Sequence, residues 1–125
     1  GVHMPWELDS DRPIYTQIVD RLKHEIVSGF YPPGSRLPSV RDLAAQASVN
    51  PNTMQKAFTE LERTGLIVTR RTSGRTVTED TALIEQVRSE LAELQISQFL
   101  TRMQHLGYQK DDSIRLLLAK KEEIS

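Results

Sequence analysis

Two groups of apolar residues, separated by a short polar turn, each follow the spacing of one face of a helix. They are Val40, Leu43, Ala44 and Ala47, then Met54, Ala57, Phe58 and Leu61. A strand-like run from Leu66 to Arg70 comes next, and a turn at residues 72–74 predicts a return strand from Arg75 to Thr78. An earlier stripe predicts a supporting helix with Asp11 as its candidate N-cap: Ile14, Ile18, Leu22 and Ile26. The pattern therefore predicts three helices followed by a small two-stranded ribbon.

Residues that favour helix ends lie where this pattern needs them. Ser39 and Asp42 have the spacing of a capping box at the start of one helix. Asn50 is a favourable N-cap for the next helix, Pro51 suits its first position, and Gly65 favours the left-handed conformation in which helices end. Two helices a tight turn apart with a ribbon behind them are typical of a winged helix-turn-helix, which places its second helix in the major groove of DNA.

The second of these two helices has a polar face near its N-terminus, with Asn52, Thr53, Gln55, Lys56 and Thr59 expected to point outward. Such a face is often only solvated, but it is also the part of a helix-turn-helix that contacts bases and phosphates. The ribbon favours DNA contact, because three arginines are expected to crowd its tip with little acid near them: Arg70, Arg71 and Arg75. Exposed strands also use such charges against aggregation. Beyond a reading helix, we interpret them as contacts to phosphates or the minor groove.

Three motifs lie in register over about residues 12–78. They are Pro13-Ile14-Tyr15-x-Gln17-Ile18, then Gly29-x-Tyr31-x-Pro33-Gly34-x-x-Leu37-Pro38-Ser39-x-Arg41-x-Leu43-Ala44, then Asn50-Pro51-Asn52-Thr53 with Ala57 and Leu61-Glu62-x-x-Gly65. The first two resemble the DNA-binding domain of GntR-type bacterial transcription regulators, and the third is similar to the short YtrA-like branch in particular. The chain has Val40 where the family often has an acidic residue.

The resemblance implies which side chains contact operator DNA. The positions that match the family's contacts are Arg41, Asn50, Asn52, Thr53 and Gln55, and Gly74 matches the wing glycine that lets the hairpin approach the DNA backbone closely. Further candidates lie next to these residues in the same helix and in the wing: Lys56, Arg70, Arg71, Ser73 and Arg75. The family also suggests a short third strand at Arg36 and Leu37. Tyr15 is either a buried anchor or a hydroxyl donor to a phosphate.

A second helical region begins near Glu79. Its apolar stripe has one break in the heptad register near Ile96: Leu83, Ile84, Val87, Leu91 and Leu94, then Phe99, Leu100, Met103 and Leu106. A helix end at residues 105–108 and caps at residues 111–113 predict one more helix. This surface must fold back on its own domain or pair with a second copy, and we favour pairing because two-fold symmetry suits a palindromic operator. The predicted dimerisation residues are Ile84, Val87, Leu91, Leu94, Phe99 and Met103.

The predicted fold class is mainly α with a small β-wing, namely an N-terminal winged helix-turn-helix followed by a C-terminal helical dimerisation arm. The first domain spans residues 1–78, of which residues 1–3 resemble a vector remnant ahead of Met4, and the arm spans residues 79–125. No run of apolar residues is long enough to cross a bilayer and no secretory leader is visible, so we expect a cytoplasmic protein without membrane contact.

The net charge of −1 is unevenly distributed along the chain. Residues 36–75 contain seven basic and three acidic side chains, whereas residues 77–125 contain six basic and nine acidic ones. Because charges more than about 10 Å away are largely screened at ordinary salt, a polyanion meets the local balance. A basic reading region with an acidic arm is compatible with DNA binding.

Residues that would carry catalysis or hold a cofactor are not brought together by any motif. The chain has no cysteine, and His24 and His105 stand alone without carboxylate ligands at metal-site spacing, which predicts surface histidines. Gly34 and Gly74 are isolated turn residues and do not form a glycine-rich phosphate-binding loop. We therefore expect no enzyme, no cofactor and no metal, and an effector pocket would have to form between helices of the dimer.

Two functions of different classes are compatible with these patterns. The first is a sequence-specific transcription regulator, a dimeric repressor on a palindromic operator, with transporter genes as targets by family analogy. The second is a winged-helix module that binds another protein without specific DNA binding. The arginines of the ribbon and the polar face of the second helix favour the first.

Overall fold

The structure, a computed structural model, describes residues 6–124, so the vector remnant expected at residues 1–3 lies outside the described residues. Within that range five α-helices and two β-strands follow one another: α1 Ile14–Val27, α2 Val40–Ala47, α3 Pro51–Thr64, β1 Ile67–Arg70, β2 Gly74–Val77, α4 Thr81–His105 and α5 Lys110–Ile124. The predicted fold class is confirmed, since a small two-stranded sheet follows the helix-turn-helix in a mostly helical chain.

Contacts between residues divide the described chain into two compact units, residues 6–88 and 89–124. The helix α4 begins in the first unit and continues through the second. The domain boundary predicted between Thr78 and Glu79 lies just before α4, earlier in the chain than this division.

The core of the first unit lies where α1 and α2 pack on α3. Its fully buried side chains come from the apolar stripes and from the ribbon: Ile18, Leu22, Ile26, Leu43, Met54, Phe58, Leu61, Leu66, Ile67 and Val77. Burying such side chains contributes about 1.5–3 kcal/mol each. This burial holds α3 with its apolar stripe inward and its polar face in solvent.

The ends of α2 and α3 are set by their own sequences, as predicted. The Ser39 hydroxyl accepts a hydrogen bond from the Asp42 backbone N–H at 3.0 Å, and the Asn50 side-chain oxygen accepts from the Asn52 N–H at 2.8 Å. Gly65 ends α3 with φ 85°, and between the helices Ser48 adopts φ 56°. The tight turn of the helix-turn-helix therefore follows from local chemistry.

The start of α1 differs from the prediction. The helix has no side-chain cap, so the expectation that Asp11 caps it is wrong. The buried Gln17 instead binds the segment before the helix: its amide N–H donates to the carbonyl oxygens of Asp9 (2.7 Å) and Arg12 (3.0 Å), and its oxygen accepts from the Asp9 N–H (2.7 Å).

The wing, residues 67–77, is an antiparallel pair in which Ile67 lies opposite Val77 and Arg70 opposite Gly74. The return strand starts at Gly74, one residue earlier than predicted. The third strand suggested by the family is present as a single bridge between Arg36 and Thr76, supported by a 2.9 Å hydrogen bond from the Leu37 N–H to the Arg75 carbonyl. This bridge ties the loop before α2 to the wing.

The second unit contains the later part of α4, which runs without interruption through Ile96, and α5. A left-handed Gly107 ends α4, and the Asp112 carboxylate accepts from the Gln109 N–H at 2.9 Å at the start of α5. Large apolar side chains remain exposed on both helices and just after the end of α4: Leu94, Ile96, Leu106, Ile114, Leu116, Leu117 and Leu118. Among the described residues, every helix is too short or too polar to cross a bilayer.

Ile84, which the sequence placed in the dimerisation stripe, belongs to the first unit and is only 4% exposed. Its side chain therefore leaves little surface for a second chain. Val87, Leu91, Phe99 and Met103 are half-buried and Leu94 is exposed, so they keep accessible apolar surface.

Candidate nucleic-acid interface

The N-terminal half of α3 presents polar side chains to solvent. Asn52, Gln55 and Lys56 are exposed, whereas Thr53 is half-buried. Asn50 is exposed too, but its side-chain oxygen is used as the N-cap, so its amide NH₂ is the group that remains for a ligand. The dipole of this helix end favours a negatively charged ligand such as a phosphate.

Lys56 is held over the face of Tyr15, with its Nζ 3.8 Å from the ring centroid. Tyr15 is half-buried, and its ring supports the ammonium group from below by a cation–π contact. A supported lysine loses less side-chain entropy when it binds a phosphate.

Arg70 and Arg71 lie at the tip of the wing, where both side chains are exposed. Neither forms an ion pair with any residue in the range 6–124. Ser73 is half-buried, and Gly74 follows with φ 71°, a conformation in which glycine is least strained. The tip therefore offers two cations and a backbone without a side chain at Gly74.

Arg75 does not lie at the tip, so the expectation that all three arginines crowd it with little acid near them is wrong. It lies opposite Thr69 inside the ribbon, and its Nε donates to the Glu62 carboxylate on α3 at 2.7 Å. Thr69 donates to the same carboxylate oxygen at 2.9 Å. The hydrogen bond from Arg75 is the main cause that lowers the pKa of the Glu62 carboxyl below its ordinary value.

Arg36 is a candidate that the sequence reading did not single out. Its side chain is exposed, and its backbone bridge to Thr76 places it beside the wing. Its Nε lies 3.7 Å from the position that a Cβ on Gly74 would occupy. The bridge predicted at Arg36 was the available signal, because a residue paired with β2 must lie beside the wing. Arg41 is exposed in the first turn of α2, close in sequence to the Ser39 cap.

Neither unit shows a metal site within the described residues, since no group of three histidine or acidic side chains comes together there. In the second unit a hollow of about 440 Å³ lies between α4 and the start of α5, lined by Ser97, Thr101, Gln104 and Lys110 among others. In the first unit a hollow of about 450 Å³ adjoins Asn50 and Thr53.

The family described as "Bacterial regulatory proteins, gntR family" matches residues 14–77. The HTH-type transcriptional regulator YhcF of Bacillus subtilis is 35% identical over 108 residues, covering 86% of this chain and 89% of that protein. The HTH-type transcriptional repressor YtrA of the same organism is 40% identical over 100 residues, covering 78% and 76%. The family and these relatives are transcription regulators, not enzymes.

Solved structures agree with this similarity. A GntR family transcriptional regulator from Listeria monocytogenes superposes with a TM-score of 0.79 at 39% identity, covering 94% of this chain and all of that one. The DNA-binding domain of AraR, crystallised in complex with operator ORE1, superposes with a TM-score of 0.52 at 26% identity, covering 62% of this chain and 98% of that one.

Proposed function

The chain belongs to the GntR family of bacterial regulatory proteins, and from this premise we propose that it is a dimeric repressor that binds a palindromic operator. The observation that carries the proposal is the exposed surface formed by the start of α3 and the tip of the wing. Polar side chains suited to base edges lie on α3, and Arg70 and Arg71 lie on the wing without an ion pair to any of residues 6–124.

The proposed contacts divide by chemistry. Donors and acceptors on α3 and α2 would read base edges: Arg41, Asn50, Asn52, Thr53 and Gln55. Cations and small groups would hold the phosphate backbone or the minor groove: Lys56, Arg70, Arg71, Ser73 and Gly74. Arg36 joins the second group because it lies beside Gly74. Arg75 acts from inside the ribbon, through its neighbours on α3.

The helices α4 and α5 supply the proposed dimer contact. Val87, Leu91, Leu94, Phe99 and Met103 keep accessible apolar surface on α4, and several leucines of α5 are exposed. Burial of such surface between two copies favours a closed two-fold dimer. A dimer places one copy of α3 on each half-site, and the linked contacts raise affinity through effective concentration.

Repression fits the relative YtrA, which is named a repressor. A bound dimer would occlude a promoter, and the family analogy extends the proposal to genes for membrane transporters. Such a regulator works in the cytoplasm, where its operator is.

Titration of the full chain against duplex DNA at rising salt tests the proposal against the protein-interaction alternative. We expect a steep linear fall of the logarithm of affinity with the logarithm of salt concentration, because phosphate contacts release counterions. The double variant Arg70→Ala, Arg71→Ala should flatten that slope. Arg63→Ala is the matched control, since this exposed arginine lies at the other end of α3 and pairs with Glu60 at 2.9 Å. Absent binding, or binding indifferent to salt, would favour a protein-binding module.

A further inference from the structure

A chain of hydrogen bonds joins α3 to β2 beside the proposed reading face. Arg75 donates through Nε to the Glu62 carboxylate at 2.7 Å and through Nη2 to the Gln55 side-chain oxygen at 3.4 Å. Its guanidinium carbon lies 5.3 Å from the centroid of the Phe58 ring. Contacts with three residues of α3 thus fix the position of Arg75.

The position of Arg75 also fixes the orientation of the Gln55 amide. A guanidinium can only donate, so the Gln55 oxygen must face it. The Gln55 nitrogen then faces the other way and donates to the Thr59 hydroxyl at 3.4 Å, whose own hydrogen goes to the Gln55 backbone carbonyl at 3.0 Å. One amide N–H remains for a ligand, while the oxygen already accepts a bond from a cation.

This orientation bears on which base the amide can read. A glutamine that reads adenine uses its oxygen to accept from the N6 amino group and its nitrogen to donate to N7. Here the guanidinium beside the oxygen repels an amino group and weakens the oxygen as an acceptor. Guanine presents two acceptors, N7 and O6, which attract both the free amide N–H and the nearby cation.

Resting on the proposed function, we propose that Gln55 and Arg75 act as one reading pair that selects guanine over adenine at one position of each half-site. Gln55 contacts the base edge, and Arg75 is a positioning residue that sets the direction of the amide. Arg75 keeps 27% of its side chain exposed and Gln55 is exposed, so both are accessible to a major groove. Glu62 holds Arg75 without occupying the Nη2 group that faces Gln55.

Selection of bound sequences from a randomised duplex pool, carried out with the full chain, tests the pair. For the unmodified protein we expect roughly a tenfold preference for guanine over adenine at one position of each half-site. Arg75→Leu keeps an apolar side chain over Phe58 but frees the Gln55 oxygen, so the preference at that position should shift towards adenine. Arg70→Leu is the matched control, an exposed wing arginine whose loss should weaken binding without changing any base preference.

A second variant keeps the test independent of folding. Gln55→Glu replaces an exposed side chain by one of the same shape. The glutamate still accepts from Arg75 but has no donor, so the guanine preference should be lost. A preference for cytosine should replace it, because the carboxylate can accept a hydrogen bond from the cytosine amino group. The pair is refuted if the selected sites are unchanged in Gln55→Glu, or if folded Arg75→Leu keeps the guanine preference. If the unmodified protein selects no sequence, the proposed function and the reading pair both fail; selection without these shifts overturns the pair alone.

Discussion

Single residues of the interface differ in whether their charge is already engaged inside the molecule. Arg75 is bound to Glu62, whereas Arg41 and Arg71 are exposed without an ion pair in residues 6–124. Charges without a partner lose less when a phosphate or base replaces water, because no internal pair is broken. Substitution of Arg41, Arg71 or Glu62 tests this difference between unpaired and paired charges.

Replacing Arg41 by Ala is expected to weaken operator binding by roughly 1–3 kcal/mol, because in the proposed interface Arg41 donates two hydrogen bonds to a guanine edge. Affinity for the operator and for a scrambled duplex would be compared by titration. A footprint identical to that of the unmodified protein would remove Arg41 from the interface.

Replacing Arg71 by Ala is expected to lower affinity for all duplexes alike and to reduce the salt slope by about 1, because Arg71 makes a single phosphate contact in the proposed interface. Titrations at several salt concentrations measure both quantities. A loss restricted to one operator would mean instead that Arg71 reads bases.

Acid should weaken the link between α3 and the wing. The pKa of the Glu62 carboxyl lies below its ordinary value of 4.5, chiefly because Arg75 donates to it, so the folded protein binds this proton less tightly than the unfolded chain. The stabilisation is therefore present above the unfolded value and is lost as pH falls through the lower folded value. In urea unfolding of the unmodified protein and Glu62→Gln, the difference in unfolding free energy should be constant near neutral pH and shrink in acid below the ordinary value. A difference that does not vary with pH would contradict the assigned role of this pair.

Elements of the first unit owe their ends to neighbours in sequence and their placement to burial. Ser39, Asn50 and Gly65 act on atoms within a few residues, which is why sequence spacing predicted α2 and α3 closely. The wing was predicted for the same reason, with strand ends that differ by one residue at Ile67, Gly74 and Val77.

Ser39→Ala is expected to lower the unfolding free energy by about 1 kcal/mol, because the Asp42 N–H loses its cap. Chemical denaturation followed by circular dichroism measures the change. Ser10→Ala, an exposed serine before α1, serves as the control and should leave stability unchanged within a few tenths of a kcal/mol. Equal effects of the two substitutions would show that the cap contributes nothing.

Contacts between distant residues are what sequence spacing did not predict. Arg75 and Glu62 lie 13 residues apart on different elements, and their pairing depends on how the wing packs on α3. Likewise, Ile84 has the periodicity of the α4 stripe, but only packing decides that its side chain is buried in the first unit. Periodicity identifies an apolar face without saying which surface covers it.

Charge is unevenly divided along the whole molecule, with basic residues in excess over 36–75 and acidic residues in excess over 77–125, and the proposed dimer joins two copies through α4 and α5. Leu91→Asp is expected to split the dimer, because the stripe would then bury an unpaired charge at its centre. Analytical ultracentrifugation should give the monomer mass, and operator affinity should fall as the linked contact is lost. Glu93→Gln, an exposed neighbour on α4, is the control; an intact dimer in Leu91→Asp would refute the assignment of this stripe.

The amide of Gln17 has a consequence for the polypeptide that enters the first unit. The amide nitrogen donates to two backbone carbonyl oxygens, and the amide oxygen accepts from one backbone N–H. A carboxylate of the same shape would set negative oxygens against those carbonyls, and a methionine would leave all three backbone groups without a partner. A single neutral side chain thus holds the segment before α1 against that helix. Few other amino acids have the length, the donor and the acceptor needed to replace it.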